Sequence, residues 1–153
     1  GEHAAKLIIL ETGCGTGNSL FPLLATNPRA CIWGCDVSEC AVRRLRERVL
    51  RENLEERAQA LVWNLTDPVL PAGFPTTPFA HLALAIFTLS ALPPDALPCA
   101  FANLHRCLLP GGRVLLRDYG RLDMKQLKFA RVEGSRLTCT GGWEWYARGD
   151  GTT

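Results

Sequence analysis

One eight-residue stretch, Glu11-Thr12-Gly13-Cys14-Gly15-Thr16-Gly17-Asn18, constrains the fold of this chain more than any other. It follows a short apolar run, Lys6–Glu11, and leads into a helical pattern over Asn18–Ala25 whose first turn tolerates Pro22. Glycines at alternate positions permit positive φ and leave no Cβ between the backbone N–H groups and a ligand. The helix start behind them favours an anionic or polar group. An apolar strand entering such a loop reads as fully buried, as in a parallel sheet covered on both faces.

The rest of the chain keeps the alternation. Ala30–Cys35 reads as a second strand stopping at Asp36, and Ser38 as the N-cap of a helix over Glu39–Glu52. In that helix Arg43, Arg44, Arg46, Arg48 and Arg51 interleave with Glu47 and Glu52, which predicts a solvated face with local ion pairs. Ala58–Trp63 is a third strand, and the proline-rich Pro68–Pro78 a loop. His81–Phe87 is a fourth strand. Pro94–Leu109 is a helix halted by Pro110-Gly111-Gly112, and Arg113–Arg117 a fifth strand ending at Asp118-Tyr119-Gly120. A short helix over Met124–Ala130 and a hairpin, Leu137–Cys139 with Trp143–Ala147, complete the pattern. Strands alternating with helices predict one α/β domain over residues 1–153, a mostly parallel sheet with helices on both faces.

At 153 residues and 47% hydrophobic, the chain has material for one real core and not two. It has no apolar run of membrane-spanning length and no signal-peptide layout, so the expected setting is intracellular: cytoplasm first, with nucleus and mitochondrion open. Seven cysteines without a CxxC pair indicate neither a disulfide framework nor a zinc ribbon, and no metal site is expected. Cys31 and Cys35 fall in a predicted buried strand, as core thiols would. The net charge of +2 does not by itself announce a nucleic-acid binder, although residues 113–153 hold eight Lys/Arg against five acids.

The glycine loop specifies a class of ligand only in combination with the strand ends beyond it. A nucleotide-type cofactor needs an acceptor for its ribose hydroxyls at the end of the next strand, and Asp36 stands there. The spacing is GxGxG, not the GxGxxG of nicotinamide or flavin binding, which favours S-adenosyl-L-methionine. Gly13 and Gly15 would then face the cofactor. Asn64-Leu65 follows the third strand, where an adenine ring would lie. Asn64 either hydrogen-bonds that ring or caps its own loop. Ile86 and Phe87 either wall the cofactor near its sulfonium or belong to the sheet core. These features predict the Rossmann-like class I fold of S-adenosylmethionine-dependent methyltransferases.

With these pieces in order, the chain resembles the methyltransferase-like family that forms 3-methylcytidine in the anticodon loop of tRNA. The segments that carry the resemblance are ILETGCGTGNSLFPLL (9–24), CDVS (35–38), LALAIFTLSALPPD (82–95), LLPGGRVLLRDYGRLDMKQLKF (108–129) and YARGDGT (146–152). The resemblance implies that Gly13, Asp36, Leu65 and Ile86 bind the cofactor. Asn64 stands where the family usually has Asp; its amide oxygen can accept from the adenine amino group, though more weakly than a carboxylate. It also implies that an N-terminal segment and a final strand of the family lie outside residues 1–153.

Cytosine N3 carries a lone pair at neutral pH, so its methylation needs positioning and charge stabilisation but no general base. Asp118 is the expected carboxylate facing the developing cation, unless it caps the following turn or pairs with Arg117 or Arg121. Tyr119 is either the platform for an extruded base or a packed aromatic. Arg117, Arg121, Lys125, Lys128 and Arg148 are expected to meet RNA phosphates. A protein partner such as an aminoacyl-tRNA synthetase could present the tRNA. Two other functions stay open: methylation of a small molecule or protein, and a non-catalytic relative that binds partners.

Overall fold

The computed structural model describes residues 5–75, 78–120 and 122–132, together with the backbone of two short strands at 136–138 and 144–146. The five main strands are β1 (Leu7–Thr12), β2 (Ala30–Asp36), β3 (Ala58–Val62), β4 (Ala80–Ile86) and β5 (Leu108–Arg117). They form one sheet in the order β3-β2-β1-β4-β5, parallel throughout. The chain builds outward from β1 through β2 to β3, then returns to place β4 on the other side of β1. The point where the strand order reverses therefore lies between the carboxyl ends of β1 and β4, where open α/β sheets hold their ligands.

Helices α1 (Leu20–Thr26), α2 (Glu39–Arg51) and α3 (Leu97–Cys107) supply the covering layers. Alternate residues of β1 feed opposite faces, as the strand period requires. Ile9 packs with Leu20, Phe21, Leu24, Val42, Leu45 and Val49 of α1 and α2. Leu10 joins the other core, with Ala100, Leu104 and Cys107 of α3. Trp33, Trp63, Phe74 and Phe79 form an aromatic cluster in that second core, with three edge-on contacts and one tilted. Cys35 is buried and Cys31 half-buried.

α2 carries its buried residues Val42, Leu45 and Val49 at helical spacing and is capped by Ser38 Oγ, which accepts from Ala41 N–H at 3.2 Å. Its outer face has the expected pairs, Arg48–Glu52 at 2.6 Å and Arg43–Glu47 at 3.9 Å, each worth a few tenths of a kcal/mol. Arg46 departs from that face: its Nε donates to Ala60 O at 2.8 Å and ties α2 to β3. At the amino-terminal rim of the sheet, Arg57 donates from Nε to Ala30 O at 3.1 Å and from Nη2 to Leu24 O and Asn27 O at 2.9 and 2.8 Å.

Most ends shift by a residue or two from the sequence reading, and three of the differences have a clear local cause. α1 starts at Leu20, not Asn18, because residues 13–18 are spent on turns. Pro94–Ala96 forms a separate 3₁₀ turn before α3, as suits a segment with two prolines. β5 starts at Leu108 and runs through Pro110-Gly111-Gly112, with a register shift between Ala80 and Leu82 that absorbs the turn chemistry as a bulge. Pro110 is tolerated because β5 lies at the edge of this sheet. Beyond it lie α4 (Met124–Phe129) and an antiparallel pair, β6 (Arg136–Thr138) with β7 (Glu144–Tyr146), as the hairpin pattern predicts. Among the described residues, no helix is long and apolar enough to cross a membrane.

Candidate active site

The glycine loop leaves β1 at the reversal point and is held from both sides. Thr12 Oγ1 donates to Leu84 O at 3.1 Å, and Thr88 Oγ1 donates to Thr12 O at 2.8 Å, which fastens the end of β1 both to β4 and to the turn just past it. Gly13 has φ +66°, and a Cβ there would overlap Thr88 Oγ1, so this position admits no side chain. Gly15 differs. Its φ is +52°, yet a Cβ would meet nothing within 4 Å: the loop leaves open space in front of its backbone there. A cradle of this shape suits a ligand approaching the main chain closely.

Asp36, at the end of β2, is built into this cradle. Its Oδ2 accepts from Gly15 N–H at 2.8 Å and its Oδ1 from Ser38 N–H at 2.9 Å. Each oxygen keeps a lone pair for ribose hydroxyls. The residue thus shapes the loop as well as offering itself to a ligand.

Glu11 is the site residue that sequence reasoning missed. It is only 2% exposed, and Oε2 has no hydrogen-bond partner. Burial raises its pKa to about 7, with a Ser19 hydrogen bond opposing the rise. A buried carboxylate oxygen without a donor, behind the glycine loop, fits the α-ammonium group of an amino-acid ligand. The available signal was the acidic residue ending an apolar strand directly before the first glycine. Cys14, inside the loop, is no nucleophile: burial, then the charges of Glu11 and Asp36, push its thiol up to about 12.

Past β3, Trp63 N–H donates to Asp36 O at 3.0 Å and keeps the next residues alongside Asp36. Asn64 is half-buried there, but its side-chain oxygen is not available to an adenine amino group as expected. Asn64 Oδ1 accepts from Thr66 N–H at 3.1 Å and from Thr66 Oγ1 at 2.8 Å. The loop-capping alternative therefore describes the oxygen, an Asx-type turn. Leu65 is 5% exposed, with its side chain in the second core and its carbonyl accepting from Asn103 Nδ2 at 2.8 Å. It can face a ligand only through its backbone.

On the other flank of the reversal point, Ile86 is half-buried and pairs with Arg117 across β4 and β5. Phe87 has φ +53°, an uncommon conformation for a bulky side chain, and is 44% exposed. Its ring leans on Tyr119, with centroids 5.0 Å apart, and the Arg117 guanidinium lies 5.5 Å from its centre. Asp118 sits beside this pair: Oδ2 accepts from Ser90 N–H at 2.9 Å and Oδ1 from Tyr119 N–H at 2.8 Å. Asp118 is a half-buried carboxylate held between the Ser90 turn and its own neighbour, beside two exposed aromatics.

Asp123 connects this corner to α4. Its Oδ1 accepts from Gln126 N–H at 2.7 Å as the helix cap, and its Oδ2 from Gly120 N–H at 3.0 Å. Lys125 and Lys128 are exposed one turn apart on that short helix. Arg121 and Arg148 lie outside the described residues. Among the described residues, no group of three or more His, Cys, Asp or Glu could hold a metal ion.

The comparisons with known proteins agree with this geometry. Residues 9–112 match the family described as a methyltransferase domain. Over 97% of its length the chain is 40% identical to the tRNA N(3)-cytidine methyltransferase METTL2 of Gallus gallus, and spans 38% of that protein. It is 37% identical over 96% of its length to human METTL6, also a tRNA N(3)-cytidine methyltransferase, and spans 49% of it. An O-methyltransferase 3 of Dictyostelium discoideum is 33% identical over 99% of the chain and is spanned for 33% of its length.

Among solved structures, a SAM-dependent methyltransferase of Methanosarcina mazei superposes with TM-score 0.65 at 21% identity, over 78% of this chain and 55% of that one. The [4+2]-cyclase SpnF superposes with TM-score 0.64 at 21% identity, over 76% and 40%. At such identities the likeness concerns the fold, which hosts more than one chemistry. The chain belongs to the methyltransferase-domain family, with the Rossmann-like class I fold, and is a relative of the tRNA N(3)-cytidine methyltransferases.

Proposed function

We propose that this chain is the cofactor-binding and base-positioning part of an S-adenosyl-L-methionine-dependent tRNA methyltransferase that forms 3-methylcytidine in the anticodon loop. The chain spans well under two thirds of its curated relatives, so their whole activity is carried over as a proposal. The observation that carries it is the pairing of two unlike surfaces across the reversal point. On one side lies the cradle of Gly15, Asp36 and the unpartnered Glu11 oxygen. On the other lie the exposed Phe87 and Tyr119 rings with Asp118 and Arg117.

S-adenosyl-L-methionine supplies an electrophilic methyl group on a sulfonium. The residues fit it: Glu11 for the ammonium group, the Gly13–Gly17 backbone for the amino-acid end, and Asp36 for the ribose. The Phe87–Tyr119 pair offers aromatic faces on which an unstacked base can rest, a contact worth about 1–3 kcal/mol. Asp118, held by Ser90 and Tyr119 N–H groups, is a fixed anion that favours a base becoming cationic. Arg117, Lys125 and Lys128 would meet RNA phosphates, as would Arg121 and Arg148. The cytoplasm is the proposed compartment, and an aminoacyl-tRNA synthetase is a candidate for presenting the tRNA.

Nucleoside mass spectrometry on tRNA incubated with the protein and S-adenosyl-L-methionine tests the reading, with and without a synthetase. Accumulation of 3-methylcytidine is expected. Methylation of a different nucleoside, or none in either arm when the cofactor is bound, would overturn it. The non-catalytic alternative predicts the second of these results.

A further inference from the structure

The orientation of Asn64 has a chemical consequence for the cofactor's base. Along the carboxyl rim the strands stand in the order β4, β1, β2, β3, about 4.8 Å apart. The glycine loop lies at β1 and Asp36 at β2, so a nucleoside whose ribose rests on Asp36 carries its base out over the end of β3. Asn64 lies there, held beside Asp36 by the bond from Trp63 N–H to Asp36 O.

An Asn side chain can ordinarily turn either end to a ligand. Here it cannot. Thr66 N–H is a donor only, so the atom it meets at 3.1 Å must be the amide oxygen. Thr66 Oγ1 donates to that same oxygen at 2.8 Å and fills its remaining lone pair. What Asn64 has left for a base is its Nδ2 group, two donors and no acceptor. An Asp in the same turn would differ at that end alone: one oxygen would take the Thr66 bonds and the other would stay free to accept.

Resting on the cofactor reading above, we propose that Asn64 makes the base subsite donor-faced. The chain then reads its purine through an acceptor atom and does not select a 6-amino purine over a 6-oxo purine. An exocyclic amine would meet Nδ2 donor against donor, whereas a 6-carbonyl oxygen or an unprotonated ring nitrogen would accept from it.

Calorimetry with S-adenosylhomocysteine and S-inosylhomocysteine, on the protein and on Asn64→Asp, tests this. The parent is expected to bind the inosyl compound at least as tightly as the adenosyl one, within about threefold. Asn64→Asp is expected to move the ratio at least about tenfold toward the adenosyl compound. A parent that prefers the adenosyl compound by more than about tenfold would refute the donor-faced subsite and leave the cofactor reading intact. Binding of neither compound would overturn the cofactor reading, and this inference with it. The parent ratio alone is decisive should the variant fold poorly.

Discussion

Glu11→Gln is the most informative single substitution, because the site's buried, unpartnered carboxyl is also the group proposed to meet the cofactor's ammonium. The Glu11 carboxyl has an ordinary value of 4.5 and is raised to about 7 in the folded chain. A raised acid holds its proton in the folded state after the unfolded chain has lost it. Stability is therefore highest below the unfolded value and falls as pH rises through the window from 4.5 to about 7. A difference of about 2.5 pH units corresponds to about 3 kcal/mol, lost by the time both states are ionised. Glutamine keeps the shape and never ionises. The variant should gain on the parent by about 2–3 kcal/mol between about pH 5 and pH 8, or roughly 5–10 °C in Tm for a domain of this size.

Urea unfolding of both proteins at the two pH values reads this directly, since groups common to both cancel in the difference. A gap between variant and parent that is the same at both would show that Glu11 is not the titrating group. Ligand binding should run the other way. An ammonium group settling on Glu11 favours its ionised form, so S-adenosylhomocysteine should bind the parent more tightly as pH rises through about 7, and the Glu11→Gln substitution should flatten that dependence.

Asp36→Ala removes the acceptor for Gly15 and Ser38 N–H as well as for ribose. It should weaken S-adenosylhomocysteine by about 1–3 kcal/mol, and unchanged calorimetric affinity would exclude the ribose role. Asp118→Ala should lower methyl transfer by on the order of a hundredfold while cofactor affinity shifts less than about twofold. Undiminished turnover would take Asp118 out of the chemistry. Gly13→Ala meets both a positive φ and Thr88, and should cost about 1–3 kcal/mol in denaturant unfolding. A neutral result would mean that the tie from Thr88 to Thr12 can be given up freely.

The strands were legible because each apolar run ends at a residue with a job at the carboxyl rim: Thr12 before the glycines, Asp36, Asn64 just past β3, Phe87. Periodicity could not show that β5 absorbs Pro110-Gly111-Gly112, since whether a turn-forming triplet bends a chain or bulges a strand depends on the neighbour it pairs with. Glu11 was passed over for a similar reason. Its alternation places it in the sheet, but only packing shows that one oxygen is enclosed without a donor. Asn64 was legible as a departure from the family pattern. The Asn-x-Thr spacing also held the clue to its orientation, because a threonine two residues on turns the amide oxygen inward.

The three carbonyl oxygens gathered by Arg57 lie on the rim opposite the glycine loop. Damage there is a question of head-count. A change such as Arg57→Met lowers the fraction of molecules that are folded at any instant, while every folded copy keeps its chemistry. The activity it appears to lose should be restored on cooling or on saturation with a ligand that binds only the native state. A defect at Asp118 would survive both treatments.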